Sequence, residues 1–588
     1  MALTTSVPTH QPAAPARARA RNGAEAVLQL MLACGVDYLF MNPGTDTAPL
    51  QEALVALDAD GERVPTLVQC LYENVALAAA HGYFLVSRRP QLVVVHVDVG
   101  TQNLGGNLHN TLRSHAGVLI LAGRAPYTFD PNTPGSRDRP IQWQQDVTDQ
   151  IGIVRGYVKW AHELGRVDTL PHLIPRAVQL AASEPAGAVY MTASREMLME
   201  PTRDGEVDLA AARRARPLVT SAGDPEALEQ LAGWLAEAEA PMAIAGAPGR
   251  YPRSVGYLVE LAELLGMRIA DTGGTLNLPF DHPLHLADPN AALPEADLLL
   301  LLDVDVPWIP RRANPSPATR IAQIDIDPLK ESMSLWGFPV DLPIQADSSK
   351  ALPALLAAVE RRATSASRAQ WTERRARLEA RHADRQREAE AKLARLAEQR
   401  PIAPEWIGAV LRDHLPGAAI VLDELVTNVD SGRRYLGLKT PGSLLTSGAP
   451  GLGWALGAAV GVKLAAPDRI PVALVGDGTF VFGSPIAALW AAHQTRTPFL
   501  TIIFDNGGYN ASKTPVQALF PDGASQRTNR FPGVRFASPV DYVGLARSCH
   551  AYAERVDQPG ELGAAIERGL AAVTAGQCAV LDVVLAQI

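Results

Sequence analysis

The chain has 588 residues, 47% of them apolar, with a formal net charge of −9 and four cysteines. That length calls for three or four domains, each able to bury its own core, and the modest acidity argues against a general nucleic-acid surface. No apolar run approaches the roughly 20 residues of a membrane span, and Cys34, Cys70, Cys549 and Cys578 lie far apart without metal-type spacing, as expected of reduced core thiols in a cytoplasmic protein.

Residues 1–22 are rich in Ala, Pro, Arg and Thr with no apolar h-region, so they are expected to be a disordered tail rather than a secretory signal. From 23 to 193 strand-like and helix-like segments alternate. Gly23–Cys34 patterns as an amphipathic helix, and Tyr38–Met41 as a strand running into Asn42-Pro-Gly-Thr-Asp46. Glu73–Phe84 reads as a helix, Gln91–His96 as a buried strand, Thr101–Arg113 as a helix and Val118–Ala122 as a strand. The alternation predicts a parallel sheet with helices on both faces. A second α/β unit is expected over 216–359, with strands at Pro241–Ala245, Arg268–Ala270, Asp297–Leu302 and Arg320–Asp325. Residues 361–400 are charge-rich good helix formers, read as a solvated connecting helix. A third α/β unit runs from 401 to 588. The predicted class is therefore α/β, with three doubly wound parallel-sheet domains.

The third unit carries the densest chemistry. Val472–Val475 and Phe499–Phe504 are short apolar runs, and the segment between them has Ile486, Leu489 and Trp490 at helical spacing. This is a βαβ unit, and ligands in such sheets sit beyond the carboxyl ends of the strands. The first strand ends in Gly476-Asp477-Gly478-Thr479, and the second in Asp505-Asn506-Gly507-Gly508; Asp477 and Asn506 are 29 residues apart. A carboxylate, an amide oxygen and a backbone carbonyl suit a hard cation such as Mg²⁺, which prefers oxygen ligands, and glycines let N–H groups approach phosphate oxygens. In the first unit, Glu73 stands at the start of a small, apolar helix. There a carboxylate by itself is simply a favourable dipole partner.

Together these stretches resemble the thiamin-diphosphate-dependent enzyme superfamily of acetolactate synthase, pyruvate decarboxylase and benzoylformate decarboxylase. Its motif is Gly-Asp-Gly followed at an interval by Asn-Asn; here Asp505 replaces the first Asn. The resemblance implies a pyrimidine-binding, a central and a diphosphate-binding domain. It implies Asp477, Asn506 and the Gly508 carbonyl as Mg²⁺ ligands, and Glu73 as the glutamate that hydrogen-bonds the cofactor's aminopyrimidine. It further implies contacts to the diphosphate from Thr427, Gly476, Gly478 and Thr479. Leu452, in Ser447-Gly-Ala-Pro-Gly-Leu452-Gly, falls where the family places the apolar residue that bends the cofactor.

The first domain is similar to that of benzoylformate decarboxylase in Asn42-Pro43-Gly44-Thr45, in His96 followed by Gly100-Thr101-Gln102-Asn103, and in Arg113-Ser114-His115-Ala116. By that resemblance Thr45 takes the place of the serine that binds the substrate carboxylate, and His96 that of a proton-transfer histidine; His115 is read as structural, and His81 and His109 are given no role. The family's central-domain histidine has no counterpart in Asp303–Arg312, where Trp308 is expected to line the pocket instead. The segment Leu286-Ala-Asp-Pro-Asn departs from the acetolactate synthase pattern and argues against FAD. Ile141–Asp149 lies where the family places polar residues on the substrate side.

The resemblance implies decarboxylation of a small-molecule 2-oxo acid, ending in protonation to an aldehyde or transfer to a second carbonyl. It also implies a homodimer or homotetramer with no membrane or nucleic-acid partner. Two other readings stand beside it: a lyase cleaving a 2-hydroxy ketone or 2-hydroxyacyl thioester without loss of carbon dioxide, and an inactive cofactor-binding subunit. A nucleotide-binding dehydrogenase is disfavoured, because no placeable βα turn carries Gly-x-Gly-x-x-Gly followed by an acid. The substrate is not set by these residues.

Overall fold

The computed structural model describes residues 16–286 and 288–588. Of the expected tail, 1–15 lie outside the described residues, whereas Arg17–Arg19 form strand β1. The segment Leu286–Asn290, read against FAD, contains Ala287, which also lies outside them. The chain divides into two compact units, residues up to 84 with 88–218, and 219–588 with 85–87.

The first unit holds β1, β2 (Tyr38–Met41), β3 (Thr66–Gln69), β4 (Leu92–Val95), β5 (Leu119–Arg124), β6 (Trp160–Leu164), β7 (Val189–Ser194) and β8 (Glu206–Asp208). Six of them form one sheet in the order β3-β2-β4-β5-β7-β6, with every pairing parallel. β1 and β8 pair antiparallel as a separate ribbon, Ala18 opposite Val207. This pairing is why 16–22 do not belong to a disordered tail.

Strands absent from the sequence reading have a physical signature. β3 and β6 are sheet edges with one buried residue each, so neither shows an apolar run. β7 is wholly buried but interrupts its apolar pattern with Thr192 and Ser194. The expected helix 101–113 is two helices, Val97–Gln102 and Gly105–Arg113, broken at Asn103–Leu104.

The second unit carries two sheets. β9 (Pro241–Ala245), β10 (Arg268–Asp271), β11 (Leu298–Leu302), β12 (Arg320–Asp325) and β13 (Leu342–Gln345) form a parallel sheet in the order β10-β9-β11-β12-β13. The five leucines of β11 are each 2% exposed or less. Being covered on both faces, the strand reads as an unbroken apolar run, and each such side chain contributes about 1.5–3 kcal/mol of burial.

β14 (Ala419–Glu424), β15 (Leu444–Thr446), β16 (Ile470–Gly476), β17 (Leu500–Asp505), β18 (Tyr552–Val556) and β19 (Ala579–Val584) form the third sheet, in the order β15-β14-β16-β17-β19-β18, again parallel. The fold is thus α/β, with three parallel sheets flanked by helices.

The charged segment is one helix, Ser365–Leu396, capped by Thr364. It is not solvated throughout. Trp371 is buried, and the buried Arg374 guanidinium donates to the Leu265 and Ala238 carbonyls at 2.9 and 2.7 Å. Gly266 permits this docking: its φ is +58°, and a Cβ there would stand 2.9 Å from the Trp371 carbonyl oxygen.

Candidate active site

In a doubly wound sheet the crevice opens where neighbouring strands connect in opposite directions. In the first unit that point lies between β2 and β4, since β2 is followed by β3 on one side and β4 by β5 on the other. The segment after β2 supplies Asn42, Thr45 and Asp46, and His96 directly follows β4.

Glu73 begins the helix Glu73–Ser87 and is 4% exposed. Its Oε1 accepts from Asn42 Nδ2 and its Oε2 from Asn103 Nδ2, both at 3.0 Å. The helix N-terminus adds a favourable field for the carboxylate. Space around it is tight: a Cβ on Gly100 would lie 3.1 Å from Glu73 Oε1 and 3.4 Å from His96 Cβ.

His96 is held from both sides. Its Nδ1 pairs with Asp46 Oδ1, and its Nε2 meets Gln145 Oε1 at 3.0 Å. Asp46 Oδ2 accepts from the Val97 N–H at 3.1 Å, which fixes the carboxylate under the ring. A Cβ on Gly44 would collide with the imidazole, and one on Gly123 with the Asp46 carboxylate. The Asp46 hydrogen bond raises the imidazole pKa above its usual value; burial opposes the rise, while Gln145 and Glu73 reinforce it.

Thr45 is exposed and lines a pocket with Asp46, His96, Arg124, Gln142, Gln145 and Arg195, among others. Two residues of the expected polar stretch 141–149 therefore face this pocket. His81 is buried and bonds Ser114 Oγ at 2.8 Å; burial pushes its pKa down to about 3, so it stays neutral. His109 packs edge-on against Tyr157.

The third sheet has its switch point between β14 and β16. Asp477, at the end of β16, is 2% exposed. Its Oδ1 accepts from the Gly478 N–H at 2.7 Å, and its Oδ2 from the Gly508 N–H at 2.8 Å. Asn506 Oδ1 accepts from the same Gly508 N–H at 3.3 Å. The carboxylate and amide oxygens therefore converge on one point. Burial pushes the Asp477 pKa up to about 6. Among the described residues no group of three or more His, Cys, Asp or Glu could hold a metal; this donor set needs only one acid.

Gly478 admits the Tyr509 ring, which a Cβ there would strike. Thr479 is buried beside Asp477, and Thr427 is exposed in the turn after β14. Asp505, which replaces the expected Asn, accepts from the Gly507 N–H at 3.1 Å and lies 3.5 Å from Arg555 Nη1, which also pairs with Asp582 at 2.7 Å.

Leu452 precedes Gly453, whose φ is +95° and whose Cβ would meet the Phe482 carbonyl. The loop is anchored by Glu424, the last residue of β14. Its Oε1 accepts from the N–H groups of Gly453 and Trp454 at 2.7 and 2.9 Å, and its Oε2 from that of Ala455 at 2.8 Å. Burial pushes the Glu424 pKa up to about 7 against the pull of these donors.

Asn42, Asp46, Asn103 and Glu424 had no assigned part in the sequence reading. The usable signal was their position at or shortly after the end of an apolar strand or, for Asn103, at a helix break.

The central sheet is closed in at the corresponding place. Between β9 and β11, Gly246 abuts the Asp303 carbonyl too closely for a Cβ, and Arg250 pairs with Asp303 at 3.1 Å. Trp308, expected to line a pocket, is 7% exposed and packs against Phe338 with ring centroids 5.0 Å apart. Apolar packing claims it instead.

Three family models match the chain: the N-terminal TPP binding domain of thiamine pyrophosphate enzymes over 21–153, the central domain over 228–355 and the C-terminal TPP binding domain over 427–583. Benzoylformate decarboxylase of Pseudomonas aeruginosa is 27% identical over 553 residues, covering 92% of this chain and 94% of that protein. A probable acetolactate synthase large subunit of Methanocaldococcus jannaschii is 24% identical, covering 96% and 92%. The solved 4-hydroxybenzoylformate decarboxylase of Rhodococcus jostii RHA1 superposes with a TM-score of 0.76 at 23% identity, covering 96% of this chain and 99% of that one. With a family model on each of its three sheets and full-length relatives of the same kind, the chain belongs to the thiamine pyrophosphate enzyme family.

Proposed function

We propose that this protein is a thiamin-diphosphate- and Mg²⁺-dependent enzyme that decarboxylates a 2-oxo acid. The carbon left behind is then protonated to give an aldehyde or joined to a second carbonyl. The observation that carries this reading is Glu73: a buried carboxylate at a strand-end crevice, with both oxygens held by amide donors. Its near-full-length relatives, named as a benzoylformate decarboxylase and an acetolactate synthase, support the same chemistry.

When bound, thiamin diphosphate supplies the electron sink for cleavage of the bond to the carboxylate. Glu73 would hold a proton against N1′ of the aminopyrimidine. Asn42 and Asn103 fix its oxygens, so the proton is presented without searching rotamers. The hard oxygen donors Asp477, Asn506 and the Gly508 carbonyl fit Mg²⁺; the Asp477 and Asn506 oxygens are close enough to share the Gly508 N–H. Thr427, just past β14, and Gly476, Gly478 and Thr479, at the end of β16, would bind diphosphate oxygens. Leu452, on the loop that Glu424 anchors, would set the cofactor's shape.

His96 would move protons at the reacting carbon or oxygen through Nε2, whose partner is the neutral Gln145 amide, while Nδ1 is committed to the Asp46 carboxylate. Thr45 offers a hydroxyl to the substrate carboxylate. A homo-oligomer is expected, with light scattering as its check.

The test is carbon dioxide release from a panel of aliphatic and aromatic 2-oxo acids by the purified protein, with thiamin diphosphate and Mg²⁺ added or withheld, and products identified by mass spectrometry. Release requiring both additions is expected. Cofactor binding without release from any acid would overturn the reading.

A further inference from the structure

Arg124 ends β5, the strand beside β4, and its side chain lines the same pocket as Thr45, Asp46 and His96. The charges around that pocket balance except at this residue. Asp46 is taken by His96. Arg195 is spent on the Gly135 and Ser136 carbonyls and on Asp138 at 3.0 Å. Arg137 pairs with Asp146 and lies over the Trp143 ring. Arg124 is half-buried and makes one hydrogen bond, from Nη1 to the Val147 carbonyl at 3.1 Å; among the described residues no carboxylate lies within ion-pair distance of it. A guanidinium has five N–H donors in a fork suited to a carboxylate, so most of its capacity is unspent. The neighbouring amides Gln142 and Gln145 complete a polar, net cationic wall.

Catalysis limits which anion belongs there. A guanidinium paired with the carboxylate that departs as carbon dioxide would stabilise the ground state and lose the interaction as the charge leaves, which slows the step. A permanent anion elsewhere on the substrate carries no such penalty. We propose that Arg124 receives a second carboxylate of the substrate, so that the enzyme selects 2-oxo dicarboxylic acids over 2-oxo acids with a neutral tail. This rests on the decarboxylase reading for its chemistry, but on the pocket alone for its binding claim.

The test has two arms on the full-length protein loaded with thiamin diphosphate and Mg²⁺. In the first, kcat/KM is compared for 2-oxoglutarate and for 2-oxopentanoate. The wild type is expected to prefer the diacid by about tenfold or more, and Arg124→Gln, which keeps a polar amide without the charge, to remove that preference chiefly through KM. Arg124→Lys should retain part of it.

In the second arm, calorimetry measures binding of glutarate and pentanoate, which needs no turnover. Glutarate is expected to bind more tightly, and Arg124→Gln to abolish the difference. If no acid is turned over while glutarate binds through Arg124, the decarboxylase reading falls and the pocket assignment stands. If the wild type fails to discriminate diacid from monoacid in both arms, or if Arg124→Gln weakens both ligands equally, Arg124 is only a brace for the loop at Val147 and the proposal is overturned.

Discussion

Replacing Asp46 by Asn isolates one interaction, because Asn keeps the size and leaves an oxygen for the Val97 N–H now held at 3.1 Å. What it removes is the negative charge on His96 Nδ1. The other charged groups around the ring, Glu73, Arg124 and Arg195, stay in place. An opposite charge at contact distance favours the charged form, so His96 in Asp46→Asn should titrate lower than in the wild type, its cation having lost its main support.

A histidine raised in the folded state contributes stability below its unfolded pKa, and that contribution is lost as pH rises through the folded value. Asp46→Asn should therefore cost most at pH 5.5 and little at pH 9. Denaturant unfolding at both pH values, with an NMR titration of the imidazole, measures this. An equal loss at both, or an unmoved titration, would refute the claim that Asp46 acts on His96 by charge.

Other perturbations probe the rest of the site. Gly100→Ala would press a methyl 3.1 Å from Glu73 Oε1; turnover should fall by about tenfold or more through misplacement, with the unfolding midpoint nearly unchanged. Glu424→Ala orphans three N–H groups before the helix Ala455–Ala465 and should cost about 2–4 kcal/mol in urea unfolding. Since burial holds the Glu424 carboxyl near 7, the folded state binds its proton more readily than the unfolded chain. Its contribution to stability should thus grow as pH falls from 8 to 6, by at most about 1.4 kcal/mol per unit, and vanish in Glu424→Gln. Arg555→Leu strips the shared partner from Asp505 and Asp582. The guanidinium is half-exposed, so a loss of about 1–2 kcal/mol is expected at pH 8. The loss should be smaller at pH 5, because Asp582, pushed up to about 7 by burial and Asp505, is then protonated.

Central strands were legible where burial on both faces writes an unbroken apolar run into the sequence, as in Leu298–Leu302, and not where polar residues interrupt it, as in Val189–Ser194. Edges such as Thr66–Gln69 and Leu342–Gln345 were not, because solvent takes three residues of the first and two of the second. The strand-end glycines drew attention to Asp477 and Asn506, whereas Glu73 was singled out through the family resemblance. What stayed hidden was pairing across distant segments: Asp46 with His96, Asn42 and Asn103 with Glu73, and Glu424 with the Leu452 loop. No local pattern encodes these contacts, since each joins the end of one element to the end of another. Trp308 shows the opposite failure, an aromatic near the family's site that packs inward on Phe338.

The central claim is that Glu73 activates thiamin diphosphate. The most direct measurement is exchange of the cofactor's C2 proton for deuterium, followed by NMR after acid quench, in wild type and Glu73→Gln with cofactor and Mg²⁺ bound and no substrate. Exchange accelerated over free cofactor in the wild type, and about 10²–10⁴-fold slower in Glu73→Gln at equal occupancy, is the predicted result. Equal exchange rates in the two proteins, both carrying cofactor, would contradict it.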